Sequence, residues 1–552
     1  MCLVYYINIM YTRRTGGTRS VNTQQGPAVH RIHLVGAHPI LLHFMNRMDF
    51  FRIVRSCLAG PHERLLDHAQ SLSILIQNII LSPGPLYRIA EWAAPVEPAA
   101  LGLSATDIKA INDDRIARSL DALVTMRARS LFFRIALHII KQFELDTRRI
   151  HHDTTTVTFH GRYRNSNREP RITFGINKDH RPDLRQLVFG LNIVADGAVP
   201  ISHEVYSGNR TDDTIHRSNV DQLRSILGQD DFIYVADSKL CTRKNLQHID
   251  DYGGRFVTLL PRTRSEDKDF RKYLREGGRV RWRKMLVNEQ NRRGNAPEDI
   301  YCTTADGPGQ TVEGYRIIWC RSSRKMEFDE QARESTIQKA EAELYDLNAR
   351  LNRGKLKQRS AIRMNVDKIL RKRCCQGFLK VRIAYQVIVK TRYLRPGRPG
   401  KDDPVREVRS RIYRLEVKQN KDALRNEART DGVFPLVTNL KRNTSKKDVL
   451  LIYKYQPYVE KRHALLKNEL EVAPVYIKKP QRAAGLIHAT FLAMTLDALI
   501  ERTVRQEMIL EGIESLPILP EGRPTGTPTT ARILEMFSDV CWYEFERGGE
   551  TV

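Results

Sequence analysis

Residues 231–237 read Asp-Phe-Ile-Tyr-Val-Ala-Asp. A short apolar run rich in β-branched and aromatic residues, bounded by acids, describes a buried strand that ends in a carboxylate. Helical patterns flank it, over 211–227 before and 242–249 after, and a second apolar strand follows at 256–260. Upstream the period is two. Residues 154–159 alternate polar and apolar side chains, 172–176 and 186–194 read as further strands, and Asp196-Gly197 marks a hairpin turn before a strand at 199–205. Three meandering strands, then helix and strand in alternation, predict an α/β fold with a mixed sheet.

The flanks of this core, which spans 148–261, have other patterns. Residues 1–29 begin apolar and turn basic, without the order of a signal peptide, and are expected to form a disordered extension. Residues 30–147 are mainly helical in pattern and basic. Such a domain either reads DNA ends or packs on the core. Asn112 is placed to cap a helix that runs towards Lys141. An insertion domain is expected over 262–442, with strand-like runs at 280–285, 315–319, 379–389 and 413–417 and a Pro/Gly-rich basic loop at 395–401. It also holds a helical hairpin. Ile337, Leu344, Leu347 and Leu351 keep heptad spacing, Gly354 breaks the helix, and Ile362, Val366, Ile369 and Leu370 resume an apolar face. That stripe is expected to seal an internal antiparallel pair. The core resumes over 443–505. Its apolar run at 483–500 contains His488 and Asp497, which suits a core helix better than a membrane span. Residues 506–552 form a tail with a Pro-rich loop and a last helix from about Thr530.

Charge narrows the partners. The 552 residues hold 91 Lys and Arg against 64 Asp and Glu, a formal net charge of +27. An excess of that size attracts a polyanion, with nucleic acid foremost. The eight cysteines form no Cys-x2-Cys pair, which argues against a zinc ribbon, and so sparse a set suits a reducing cytoplasm.

Cutting a phosphodiester at neutral pH requires an activated oxygen nucleophile and a neutralised leaving oxygen, and a pair of divalent ions can provide both. Magnesium keeps several waters, so few carboxylates hold it, and they must sit on rigid elements. Asp153 lies within the first strand of the core, Asp237 ends the strand quoted above, and Glu460 lies in a helical segment. Two strand-borne acids and one helix-borne acid are the pattern of a ribonuclease H-like fold. Tyr453, Gln456, Glu460 and Lys467 are spaced Y-x2-Q-x3-E-x6-K. On one continuous helix those offsets share a face.

The spacing resembles the Y-x2-R-x3-E-x6-K signature of DDE transposases of bacterial insertion sequences. Asp153-Thr-Thr-Thr with Gly161-Arg-Tyr, the stretch 178–186, Gly208-Asn-Arg-Thr-Asp, Val235-Ala-Asp-Ser and the stretch 431–439 resemble further motifs of that family, in its branch with a long insertion before the Glu. The resemblance covers most of residues 30–540. It implies a ribonuclease H-like sheet interrupted by a β-rich insertion. It implies that Asp153, Asp237 and Glu460 are catalytic and hold two Mg²⁺ (or Mn²⁺) ions. Tyr453, Gln456, Lys467, Lys178 and Arg181 would support the site or bind DNA. The implied activity is cut-and-paste transposition on element ends and target DNA, by a homodimer on DNA, in the nucleoid of a bacterial cytoplasm and away from membranes. Gln456 departs from the signature Arg and lacks its charged fork. Two other readings stay open, a ribonuclease H-like nuclease without strand transfer and a DNA-binding derivative that has lost catalysis.

Overall fold

A computed structural model describes residues 29–58, 66–160, 163, 169–176, 181–288, 298–393, 405–472, 479–547 and 550–551. The expected extension, apart from Val29, falls outside them, as do Gly161-Arg162, Lys178 and the loop at 395–401.

The chain opens with β1 (Val29–Leu34) and continues as α1 (His38–Arg47), α2 (Phe50–Leu58), α3 (His68–Leu81), α4 (Ile89–Ala93), α5 (Asp113–Ala122) and α6 (Met126–Gln142). Then come β2 (Arg149–Phe159), β3 (Arg185–Val194), β4 (Pro200–Ser207), α7 (His216–Leu227), β5 (Ile233–Val235), α8 (Arg243–Asp251) and β6 (Arg255–Leu259). The middle of the chain forms α9 (Ser265–Arg275), β7 (Arg283–Asn288), β8 (Asp299–Thr304), β9 (Arg316–Ser322), α10 (Ser323–Ala349), α11 (Arg359–Lys372), β10 (Leu379–Tyr393), β11 (Val405–Gln419), α12 (Lys421–Ala428) and β12 (Val433–Thr438). The last elements are α13 (Lys446–Tyr453), α14 (Pro457–Val472), α15 (Pro480–Leu510), α16 (Thr530–Glu535), β13 (Cys541–Arg547) and β14 (Glu550–Thr551).

Two compact units result. Of the described residues, those within 1–258, 439–442 and 448–552 form one, and those within 259–438 and 443–447 the other. The first is a mixed α/β unit with strand order β4-β3-β2-β5-β6. The first three strands run antiparallel, and β5 and β6 join parallel to β2. Antiparallel neighbours need only a hairpin. That between β3 and β4 turns at Gly197 and Ala198, both at positive φ. Parallel neighbours need a crossover, which α7 and α8 provide.

Helix α15 fills the centre of this unit. Among the described residues it is the one helix long and apolar enough to cross a membrane, and 89% of its most apolar window is buried inside the protein. It packs on α3, α5, α14 and β4. Gly485 allows the close crossing with α5, because a Cβ there would stand 2.3 Å from the Leu120 carbonyl oxygen. The expectation of a core helix over 483–500 therefore holds.

The second unit has strand order β12-β9-β8-β7 and, separately, the two-stranded ribbon β10-β11. The heptad stripe closes inwards as expected. Ile337, Leu344, Leu347 and Leu351 meet Ile362, Val366 and Leu370, and Leu379, Ile383 and Tyr413 from the base of the ribbon complete that core. Gly354 interrupts the helices at positive φ.

Several expectations fail for lack of local signal. β1 stands where helix was expected and pairs antiparallel with β13, over half a thousand residues away in sequence. The last helix is only α16, and β13 replaces the rest. The strand expected at 172–176 reduces to a single bridge between Thr173 and Gln186. Such pairing depends on a distant partner, and propensity does not encode it.

Candidate active site

The register of the first unit's sheet places two acids together. In the parallel pair β2-β5, His151 is the partner of Val235. Asp153 stands two residues on in β2, and Asp237 two residues past the end of β5. Asp153 continues in β2, opposite Leu191 of β3. Asp237 leaves its strand and caps the short turn after it, accepting a hydrogen bond from the Lys239 amide at 3.0 Å. Its own carbonyl accepts from the Thr258 hydroxyl at 2.6 Å. The cap is the common structural role of such an Asp, and here it also fixes the carboxylate's direction.

Glu460 arrives from α14, in the first turn and exposed. The single helix expected through 453–467 is in fact two. Tyr453 ends α13, residues 454–456 turn, and Pro457 opens α14, where its missing N–H costs nothing. Glu460 and Lys467 remain on one helix, two turns apart, while Tyr453 and Gln456 reach the site from outside it. The three acids act together on Tyr453. Its phenol pKa is raised by burial first, then by the negative fields of Asp237, Glu460 and Asp153. Asp237 and Asp153 also contribute to raising that of Tyr234, beneath the sheet, where burial again dominates.

Gln456 is buried in the connecting turn. Its Nε2 donates to the His152 carbonyl at 2.7 Å, and its Oε1 lies 3.1 Å from Nδ1 of His151. A neutral amide thus ties the turn to β2 on the residues just before Asp153. Burial holds His151 at a pKa of about 4, so the imidazole is neutral at pH 7. His152 faces the other way, into a polar network with Asn192 and Asn219. Strand alternation separates the two histidines.

Two residues absent from the sequence expectations complete the setting. His463, one turn beyond Glu460, is buried with Nε2 3.8 Å from Oδ2 of Asp153. Arg462 anchors α14 to α15. Its guanidinium pairs with Asp497 at 2.6 Å and Glu501 at 2.9 Å, and donates to the Ala198 carbonyl at 3.2 Å. The only sequence signal for either was its place beside Glu460. Arg181 lies in an exposed loop in a two-bonded pair with Asp183. Lys178 lies outside the described residues.

Carboxylate oxygens are the donors a hard cation prefers. Among the described residues, no three His, Cys, Asp or Glu side chains are gathered as a ready metal cage. An ion that keeps its waters needs only one or two carboxylates together with substrate oxygens.

Residues 30–137 match a family model described as a domain of unknown function, DUF4277. Among solved structures, the chain is similar to the piggyBac transposase in a cryo-EM synaptic complex with hairpin DNA. The identity is 10% and the TM-score 0.39, over 94% of this chain and 82% of that one. A search of curated proteins finds no match.

Proposed function

We propose that the chain is a DDE-type transposase that cuts and joins DNA at Asp153, Asp237 and Glu460. The observation that carries this reading is geometric: Asp153 stands in β2, Asp237 follows β5, the parallel partner of β2, and α14, with Glu460 in its first turn, packs on β2. The sheet order agrees with it, since three antiparallel strands followed by two parallel ones are what a ribonuclease H-like core requires. The net charge of +27 suits DNA, both element ends and target.

Asp153 and Asp237 would hold Mg²⁺ or Mn²⁺, with Glu460 approaching from α14. Such ions, when bound, activate the attacking oxygen and neutralise the leaving one. The protein's own part is positional. The Lys239 amide orients Asp237, Gln456 holds the α13–α14 turn on β2, and Arg462 fixes the helix that carries Glu460. Lys467 follows Glu460 by two turns on α14 and would contact phosphate in this reading. In this reading Gln456 supports the site from the interior, and the missing signature charge does not by itself mean lost catalysis. The dimer on paired ends, the second ion and the bacterial nucleoid belong to the same proposal.

The test is an Asp237→Ala variant with end DNA and Mg²⁺. Cutting is expected to fall by on the order of 10³-fold while binding persists. Undiminished cleavage would overturn the assignment. A nuclease without strand transfer is separated by offering pre-cleaved ends with a target plasmid, because only a transposase joins them.

A further inference from the structure

The ribbon β10-β11 is fifteen residues long in each strand and pairs in one unbroken register from Leu379–Gln419 to Tyr393–Val405. Cross-strand partners share a face. On one face Leu379, Ile383 and Tyr413 are buried against the helical hairpin α10–α11. That contact turns the opposite face outwards. The outward face carries Lys380, Arg382, Lys390 and Arg392 from β10 and Arg406, Arg414 and Lys418 from β11, all exposed. Its single acid is Glu416, shared by Arg382 at 3.8 Å and Arg414 at 2.9 Å. Seven cations to one anion on a face that covers no core is not a packing arrangement. Their mutual repulsion favours a polyanion laid along them.

Geometry selects the polyanion. The Lys380–Lys418 pair and the Arg392–Arg406 pair are twelve residues apart along the ribbon. At about 3.4 Å per residue that is about 40 Å, comparable with the ~34–36 Å turn of B-DNA. The major groove of B-DNA also admits a two-stranded β-ribbon, whereas that of A-form RNA is too narrow. We propose that the outward face of β10-β11 is a docking surface for duplex DNA, contacting phosphates on both sides of a groove. It rests on the reading of the chain as a DNA-processing enzyme, and it gives the second unit the task of holding DNA while the first cuts.

The test compares the full-length protein with a Lys390→Gln, Arg392→Gln, Arg406→Gln variant. Binding to a duplex of about three helical turns is followed by fluorescence anisotropy across a salt series. The variant is expected to bind on the order of tenfold more weakly, with the log K against log salt slope shallower by about 2.7, at ~0.9 per lost phosphate contact. A control variant, Arg359→Gln, Arg363→Gln, Lys368→Gln, removes three exposed cations from α11 and should bind as the native protein does. An unchanged slope in the ribbon variant, an equal loss in the control, or an equal loss on single-stranded RNA would each overturn the proposal. All six side chains are exposed, so the fold should persist, which matching thermal melts verify. Asp237→Ala separates the two readings. Lost cleavage with a ribbon variant that binds normally removes the ribbon alone. Retained cleavage with a ribbon variant that binds weakly removes the catalytic assignment alone.

Discussion

The acid site of the first unit and the basic ribbon of the second use charge in opposite ways. At the site the charges are few, and groups with committed interior partners hold the elements that carry them. Gln456 has both ends of its amide committed, and Arg462 joins the carboxylates of Asp497 and Glu501. On the ribbon the cations are many, exposed and alike. A buried polar group leaves its partners orphaned when it is removed, whereas an exposed cation is only one share of a screened field. The site should therefore fail through single substitutions, and the ribbon only through several.

The largest stability effect should come from Arg462→Met. It leaves Asp497 without its cation and Glu501 with only the longer Arg505 pair at 3.5 Å, and burial already raises the Asp497 pKa. Urea unfolding should show a loss of about 3–5 kcal/mol. A loss below ~1 kcal/mol would mean that water reaches the pair and that the contrast between the units is false. Gln456→Leu should cost about 1–3 kcal/mol, because the His152 carbonyl and the His151 nitrogen lose their partner together. The same variant sharpens the role of Gln456. A positioning residue should lower the cleavage rate with little change in DNA affinity, and a phosphate contact should do the reverse. The smallest effect belongs to Lys390→Gln alone, which should change the salt slope by only about 0.9 and leave the melting temperature unmoved. A larger collapse would make the ribbon a structural element.

Much of the first unit was legible because its signals are local. The apolar run at 231–237 encodes β5, Asp196-Gly197 encodes a turn, and the uninterrupted apolar stretch at 483–500 encodes a buried helix. Where a distant partner decides the structure, the sequence misled. β1 depends on β13, and nothing near Val29 records that. The spacing from Tyr453 to Lys467 suggested one helix where the structure has two. Pro457 carried the correction, since it opens a helix more readily than it continues one. Gln456 was read as a missing cation because a linear motif does not show which side chains are buried. His463 carried no signal of its own, as one imidazole beside a Glu is common on any helix.

The central claim is that Asp153, Asp237 and Glu460 are one site. It is tested most directly by Mg²⁺-dependent cleavage of end DNA, comparing Asp153→Asn, Asp237→Asn and Glu460→Gln singly with the triple variant. Residues that act as a unit are not additive, so each single change should lose nearly as much rate as all three together. A single variant that cleaves within about tenfold of the native rate would contradict it.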